Sequence, residues 1–171
     1  MLLPSTACPN LDSRVLILPV RLPARLQGMF LGEYRHNLDY KGRISVPKKF
    51  RRDLAKGAIL TKGLDGCLFL YSKESWERLT TRLRELSVTQ ADTRSFERYL
   101  FGGAVEAQFD QLGRINIPEY LLAYADLKKE AILVGILERV EIWDLQRWSR
   151  LAKKLGERGE EIAEKLSERG V

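Results

Sequence analysis

The stretch Asp39-Tyr40-Lys41-Gly42-Arg43-Ile44-Ser45-Val46-Pro47 decides the reading of this chain, because it returns as Asp110-Gln111-Leu112-Gly113-Arg114-Ile115-Asn116-Ile117-Pro118. Both copies read Asp-x-x-Gly-Arg-Ile-x-Val/Ile-Pro. The likeness extends outward. Phe30 and Gly32 precede the first copy as Phe101 and Gly103 precede the second, and Trp76 and Trp148 follow at matching distances once one residue of gap is allowed. Self-similarity over such a span describes architecture and is weighed before local structure.

Each copy has the chemistry of a tight turn. Gly42 and Gly113 supply a positive φ without steric cost, and Asp39 and Asp110 can accept from turn amides. Arg43-Ile44-Ser45-Val46 then alternates polar and apolar, the period of a strand. Pro47 suits the first position of a helix, where its missing N–H costs nothing. Each copy therefore predicts strand, turn, return strand and short helix. A plain structural hairpin would satisfy one copy; two copies establish a duplicated fold and leave the activity open.

The rest of the chain fits this frame. Residues 31–38 are the incoming strand, and Pro47 to Leu54 is a basic helix with Phe50 and Leu54 on one face. Ala58–Thr61 and Cys67–Tyr71 are strands joined across the turn signature Leu64-Asp65-Gly66. Ser72 caps a helix striped by Trp76, Leu79, Leu83 and Leu86. Asp92 is placed as the cap of a linking helix that Gly102-Gly103 ends. Ala104–Phe109, Arg114–Ile117, a helix from Pro118 to Ala125, Ala131–Ile136 and Val140–Trp143 repeat the pattern, and Asp144 caps a helix bearing Trp148, Leu151 and Leu155. From Glu157 to Val171 the chain is charged but keeps Ile162, Ala163 and Leu166 at helical spacing, and it is expected to fray or make light contacts. The expected division is an extension over 1–28, repeat 1 over 33–80, a linker with a short helix over 81–106, repeat 2 over 107–150 and a helical tail over 151–171.

Residues 1–28 hold four of the six prolines and lack the basic start of a signal peptide. Met29 stands directly before the first repeat, so the native start is expected there, with the preceding segment an over-extended start or a loose arm; the alternative is a genuine lineage-specific arm that orders against a partner. Each repeat is near the size at which a lone core is marginal, so duplication and further assembly are natural remedies.

The chain of 171 residues carries 29 Lys+Arg against 23 Asp+Glu, with a pI near 9.4. The spread tells more than the total: residues 29–100 hold 15 basic and 9 acidic groups, residues 101–171 hold 11 and 13. Two repeats with one skeleton and different charge point to a division of labour. Cys8 and Cys67 are far apart, which disfavours a disulfide framework and favours a reducing cytoplasm; Cys67 reads as a small buried hydrophobe. No apolar run reaches transmembrane length.

Enzymatic material is thin. His36 is the only histidine, no nucleophile is marked beside it, and neither a zinc set nor a phosphate-binding loop is present. No catalytic, metal or cofactor residue is assigned. Nucleic-acid binding has better material. Lys41, Arg43, Lys48, Lys49, Arg51, Arg52 and Lys56 fall within one turn, one strand and one helix. The aligned positions of the second copy are Leu112, Arg114, Glu119, Tyr120, Leu122, Ala123 and Leu127, so only the motif arginine is shared. The fold does not demand these cations; a solvated cationic face is the plainer reading, and a duplex partner the sharper one. A two-stranded ribbon fits the major groove. Arg43 could reach a guanine or a phosphate bidentately, or pair with Asp39 to brace the turn as Arg114 would with Asp110. Lys48, Lys49, Arg51 and Arg52 suit phosphates.

From Met29 to about Leu155 the chain resembles the MraZ family of bacterial regulators with two SpoVT-AbrB repeats. The resemblance rests on Asn37 to Pro47, on Phe109-Asp110-Gln111-Leu112-Gly113-Arg114-Ile115, and on Leu133-Val134-Gly135 followed by Glu141-Ile142-Trp143-Asp144; the first 28 residues depart from it. It implies a β-rich α+β fold in which the tandem repeats intertwine as a double-split β-barrel with flanking helices. It implies closed homo-oligomeric rings of about eight to twelve subunits, residence in the cytoplasm at the nucleoid, and binding to double-stranded promoter DNA at direct repeats upstream of division and cell-wall genes, usually repressing them and itself. It implies that Arg43 contacts DNA, with Lys49 and Arg51 among the basic residues after Pro47. No membrane partner and no small-molecule ligand are predicted. Other AbrB-like proteins are antitoxins that neutralise a protein partner, and that class, with a plain scaffold, is the alternative.

Overall fold

The structure, a computed structural model, describes residues 29–168; the extension 1–28 and Cys8 lie outside them. In chain order the elements are β1 (Phe30–Asn37), β2 (Arg43–Ser45), α1 (Lys48–Leu54), β3 (Ala58–Lys62), β4 (Leu68–Ser72), α2 (Lys73–Arg84), α3 (Ala91–Phe101), β5 (Val105–Ala107), β6 (Arg114–Asn116), α4 (Glu119–Tyr124), β7 (Glu130–Leu137), β8 (Arg139–Asp144) and α5 (Leu145–Ser167). This is the α+β tandem-repeat fold expected, and the elements fall within a few residues of their sequence assignments.

The pairing departs from the local hairpin. β1 and β2 form no ladder with each other; the isolated bridge Leu38–Ile44, just past the end of β1, links them. β1 instead runs antiparallel to β7 of the other copy over all eight of its residues, from Phe30 opposite Leu137 to Asn37 opposite Glu130. β5 likewise pairs with β3. The two return strands pair with each other, with Ile44 opposite Ile115 at the centre. The result is a six-stranded antiparallel sheet in the order β1-β7-β8-β4-β3-β5, and a separate ribbon β2–β6 joined to it by the bridges Leu38–Ile44 and Phe109–Ile115. Those bridges close the barrel. A local hairpin loses because each unit alone has too little apolar surface; exchange of strands lets the two halves share one core.

That core holds both copies' equivalents. Ile44, Phe50, Leu54, Leu60, Leu68, Leu70, Ile115, Leu121, Leu133 and Ile142 are buried together. Phe50 meets Phe30 and Tyr34 edge-on at 5.3 Å. A second cluster on the far face of the sheet joins Cys67, Phe69, Val134, Trp143 and Trp148, with Trp76 and Leu79 of α2 against it. Cys67 packs there as a hydrophobe, and burial pushes its thiol pKa up. Asp65 and Gly66 take positive φ in the β3–β4 turn.

Two caps form as the sequence indicates: Ser72 accepts from the Ser75 amide, and Asp144 from those of Gln146 and Arg147. The third does not. α3 starts after Gln90 without a side-chain cap, and Asp92 lies inside its first turn, where a carboxylate favours the helix dipole instead. α3 is tied down elsewhere: Thr61 donates to the Leu100 carbonyl, and the hydroxyls of Tyr99 and Tyr124 converge on the Gly63 carbonyl. Among the described residues, every buried side-chain nitrogen or oxygen has a partner.

Interleaving makes the cross-copy contacts the weak points to probe. A Cβ at Gly135 would come within 2.4 Å of the Leu31 amide nitrogen and 2.5 Å of the Phe30 carbonyl carbon. Gly135→Ala should therefore cost about 1–3 kcal/mol by overpacking, and Ile115→Ala about 2–5 kcal/mol by cavity formation. Urea unfolding should show a single transition in each variant, since the two copies share one core.

Candidate nucleic-acid interface

The β2–β6 ribbon is the centre of the candidate site. Side chains alternate along a strand, so with Ile44 and Ile115 turned into the core, Arg43, Ser45, Arg114 and Asn116 share the opposite face. Register sets Arg43 across from Asn116 and Ser45 across from Arg114. The Asp39–Gly42 and Asp110–Gly113 turns lead into this face, with Tyr40 (89% exposed) and Leu112 (65% exposed) near their tips.

Both turns are braced in the same way. Asp39 Oδ1 accepts from the amides of Lys41 and Arg43 at 2.9 and 3.0 Å, and its Oδ2 takes both Nε and Nη2 of Arg43 at 2.7 Å. Asp110 holds the amides of Leu112 and Arg114 and the Arg114 guanidinium at equivalent distances. Gly42 and Gly113 take φ of 72° and 73°, which a side chain would strain. A further contact joins the copies: Arg114 Nη1 lies 3.6 Å from Asp39 Oδ2. The hydrogen bond from the Arg43 side chain is the largest effect holding the Asp39 carboxyl at about 2, below its ordinary 3.8, and Asp39 in turn raises the Arg43 pKa. The Asp110 carboxyl is also lowered, first by the Arg114 amide and then by its side chain.

Each turn is also capped by the other copy. The Val46 amide donates to the Gly113 carbonyl at 3.1 Å, and the Ile117 amide to the Gly42 carbonyl at 3.0 Å. Leu122 covers Gly42, and Arg51, at the aligned position, covers Gly113: a Cβ there would fall 2.0 Å from Arg51 Cζ. Arg51 Nε also donates to the Val46 carbonyl at 2.6 Å. Arg51 therefore fills a packing position that the second copy gives to leucine, and is only half-buried rather than extended into solvent.

Apart from half-buried Arg43, the other sequence-assigned cations are exposed. Lys41 stands 5.5 Å from the ring of Tyr40, and Lys49 lies 4.7 Å from the ring of Tyr34 and 5.3 Å from that of Phe50. Lys48 and Lys56 are open, and among the described residues Arg52 has only Asp53 beside it, at 3.3 Å. α1 follows β2 with Pro47 as its N-cap residue, so its lysines rise directly from the end of the ribbon. Sequence reasoning missed Asn116 and Ser45, which enter the face only through cross-copy pairing. The alignment of Arg51 with Leu122 was the available sign of Arg51's packing role.

Two interleaved copies of one turn-strand-helix unit, presenting one charged ribbon, define an α+β protein of tandem repeats. A family model described as "MraZ protein, putative antitoxin-like" matches residues 29–99 and again 100–169. The chain is 47% identical over 138 residues to the transcriptional regulator MraZ of Heliobacterium modesticaldum, covering 81% of this chain and 96% of that one. It is 43% identical over 143 residues to that of Halothermothrix orenii and 46% identical over 143 to that of Acetivibrio thermocellus, each covering 84% of this chain and all of the relative. The chain belongs to the MraZ family of transcriptional regulators. Among the described residues, no helix is long and apolar enough to cross a membrane.

The depressed Asp39 carboxyl fixes a sign. Its contribution is fully present above 3.8 and is lost as pH falls toward and through about 2. Titration of Asp39 by carboxyl-detected NMR should give a midpoint near 2 in the wild type and a return toward the ordinary value in Arg43→Ala. Arg51→Leu should retain stability within about 1 kcal/mol, as a volume-filling replacement, when measured by urea unfolding.

Proposed function

We propose that this protein is a sequence-specific DNA-binding regulator that lays the β2–β6 ribbon into the major groove and sets α1 beside the flanking backbone. The observation that carries the reading is an asymmetry on a symmetric frame. Both turns have the same Asp–Arg brace, yet only the first copy follows it with exposed Lys48, Lys49 and Arg52, where the second has Glu119, Tyr120 and Ala123. A role in folding would ask the same of both copies.

Arg43 is the reading residue. Asp39 takes Nε and one side of Nη2, and Nη1 has no protein partner among the described residues, so the outer edge of the guanidinium is held rigid for a guanine or a phosphate. Asn116 beside it is suited to adenine. Lys41, Lys48, Lys49 and Arg52 bind phosphates and carry the salt dependence. Arg51 acts chiefly by seating α1 on the Gly113 turn. Arg114 serves the turns rather than the bases.

The target is direct repeats in a promoter, its own and that of the division and cell-wall genes, and the effect is repression. The working form is a cytoplasmic, nucleoid-associated homo-oligomeric ring of about eight to twelve subunits closed by head-to-tail contacts. Beyond the single bridges that close the barrel, the outer edges of β1 and β5 have no ladder partner among the described residues, and with the exposed Leu31, Ile136 and Leu137 they support assembly, because unpaired edges with apolar side chains favour association. The antitoxin-like wording of the matching family model favours a second reading, in which the protein neutralises a protein partner; a stoichiometric partner co-purifying from the native host would select it.

Footprinting on DNA upstream of the protein's own gene tests the first reading, with protection of spaced repeats expected. Arg43→Ala should lose about 1–3 kcal/mol of operator affinity while keeping the wild-type sedimentation profile; normal binding by that variant would refute the assignment. Lys49→Gln should reduce the slope of log K against log salt by about 1, whereas Arg51→Leu should leave that slope nearly unchanged.

A further inference from the structure

The two copies differ at the joint between the short helix and the strand that follows it. α1 reaches β3 through three residues, 55–57, whereas α4 reaches β7 through five, 125–129. On either side the copies correspond. Leu54 aligns with Ala125, and Ala58 opposite Ala107 matches Ala131 opposite His36. The two extra residues therefore lie within the second connection.

There they lay chain against the end of β1. Leu127 is 7% exposed and belongs to the shared core; its amide donates to the Leu122 carbonyl at 3.0 Å, and the Lys129 carbonyl accepts from the Leu38 amide at 2.9 Å. The first copy has neither the side chain nor the carbonyl. Its connection turns back at Gly57, with φ of 123° and its amide donating to the Leu54 carbonyl at 3.1 Å. No carbonyl of 55–57 accepts from the amide of Phe109, the counterpart of Leu38. The space left is a cavity of about 540 Å³ between the end of α1, β5 and the Asp110 turn, a size that suits a ligand. Leu54, Ala107 and Phe109 are its apolar lining, and Arg51, Glu106 and Gln111 also border it.

The second copy shows what chemistry fits such a place: a side chain of leucine size, and two residues on a carbonyl that accepts from the amide at the strand end. An extended peptide supplies both. Charge narrows the choice. In the second copy Arg35 pairs with Glu130, beside the joint. At the aligned position the first copy has Glu106, exposed and without a paired cation among the described residues. The charge asked of an occupant is thereby reversed, from acidic to basic.

We propose that this cavity is a docking site for an extended peptide segment of a partner protein. The segment inserts a leucine-like side chain where the second copy keeps Leu127, offers a carbonyl to the Phe109 amide and sets a lysine or arginine beside Glu106. The site rests on neither reading of the function, since it follows from the shorter connection alone.

Reversible disulfide capture on the full chain tests it. In a Cys8→Ser background, with Cys67 buried, Ala55→Cys puts one accessible thiol on the lining, where Ala55 is exposed. The probe is the capped peptide Cys-Asp-Leu-Lys-Lys, which copies residues 125–129 with cysteine in place of the alanine. A weak local fit raises the effective concentration at the thiol, so it shows as capture against competing 2-mercaptoethanol. Intact-mass spectrometry should find this peptide captured several-fold more than the same peptide with aspartate in place of leucine; equal capture overturns the proposal. Adding Glu106→Lys should lower capture of the leucine–lysine peptide several-fold and raise that of Cys-Asp-Leu-Glu-Glu. An unchanged order of preference also overturns it. The captured protein should keep the sedimentation profile of the free one. Dissociation on capture would mean that a second copy of this chain fills the cavity, and the partner-peptide site would fall.

Discussion

Ile44 and Ile115 stand opposite one another at the centre of the β2–β6 ribbon, both fully buried, and the rest of the molecule is arranged around that meeting. Each strand has only three residues, too short to hold a ladder by hydrogen bonds alone. Burial of the two side chains, about 1.5–3 kcal/mol each, fixes the register. A shift by one residue would turn both isoleucines to solvent and both arginines into the core. The same register places Arg43 and Arg114 on one outward face.

The turns and the core are thereby one construction. Asp39 and Asp110 shape their own loops, but each glycine is covered from the other copy and each glycine carbonyl is bonded by the other copy's strand end. A loop that would ordinarily be mobile is held on three sides. On the proposed reading this rigidity matters, since a guanidinium already fixed by a carboxylate loses little freedom when it meets a ligand. The duplication also frees the second copy from carrying charge. Its helix α4 offers Leu122 where α1 offers Arg51, and its turn offers Leu112 where the first offers Lys41.

Much of this was legible in the chain. The glycines, aspartates and prolines of the two motifs specify turns through local chemistry that holds in any context, and the strand and helix assignments followed within a few residues. The family resemblance supplied the intertwining. The cations were also legible, because a comparison of aligned positions needs no coordinates. Asp92 misled because an acidic residue near a helix start serves equally as a cap or as a first-turn residue, and only the backbone path at Gln90 separates the two.

Sequence by itself determined the duplicated unit, its turn chemistry and the placing of charge on one copy, all of which depend on residues close together in the chain. Tertiary structure alone decided which strand pairs with which, and so that Asn116 stands beside Arg43, that Arg51 lies on Gly113 and that Arg114 reaches Asp39. The reason is physical: local pattern states which face of a strand is apolar, but not which of several apolar faces will cover it. That choice is made by the burial available to the whole chain.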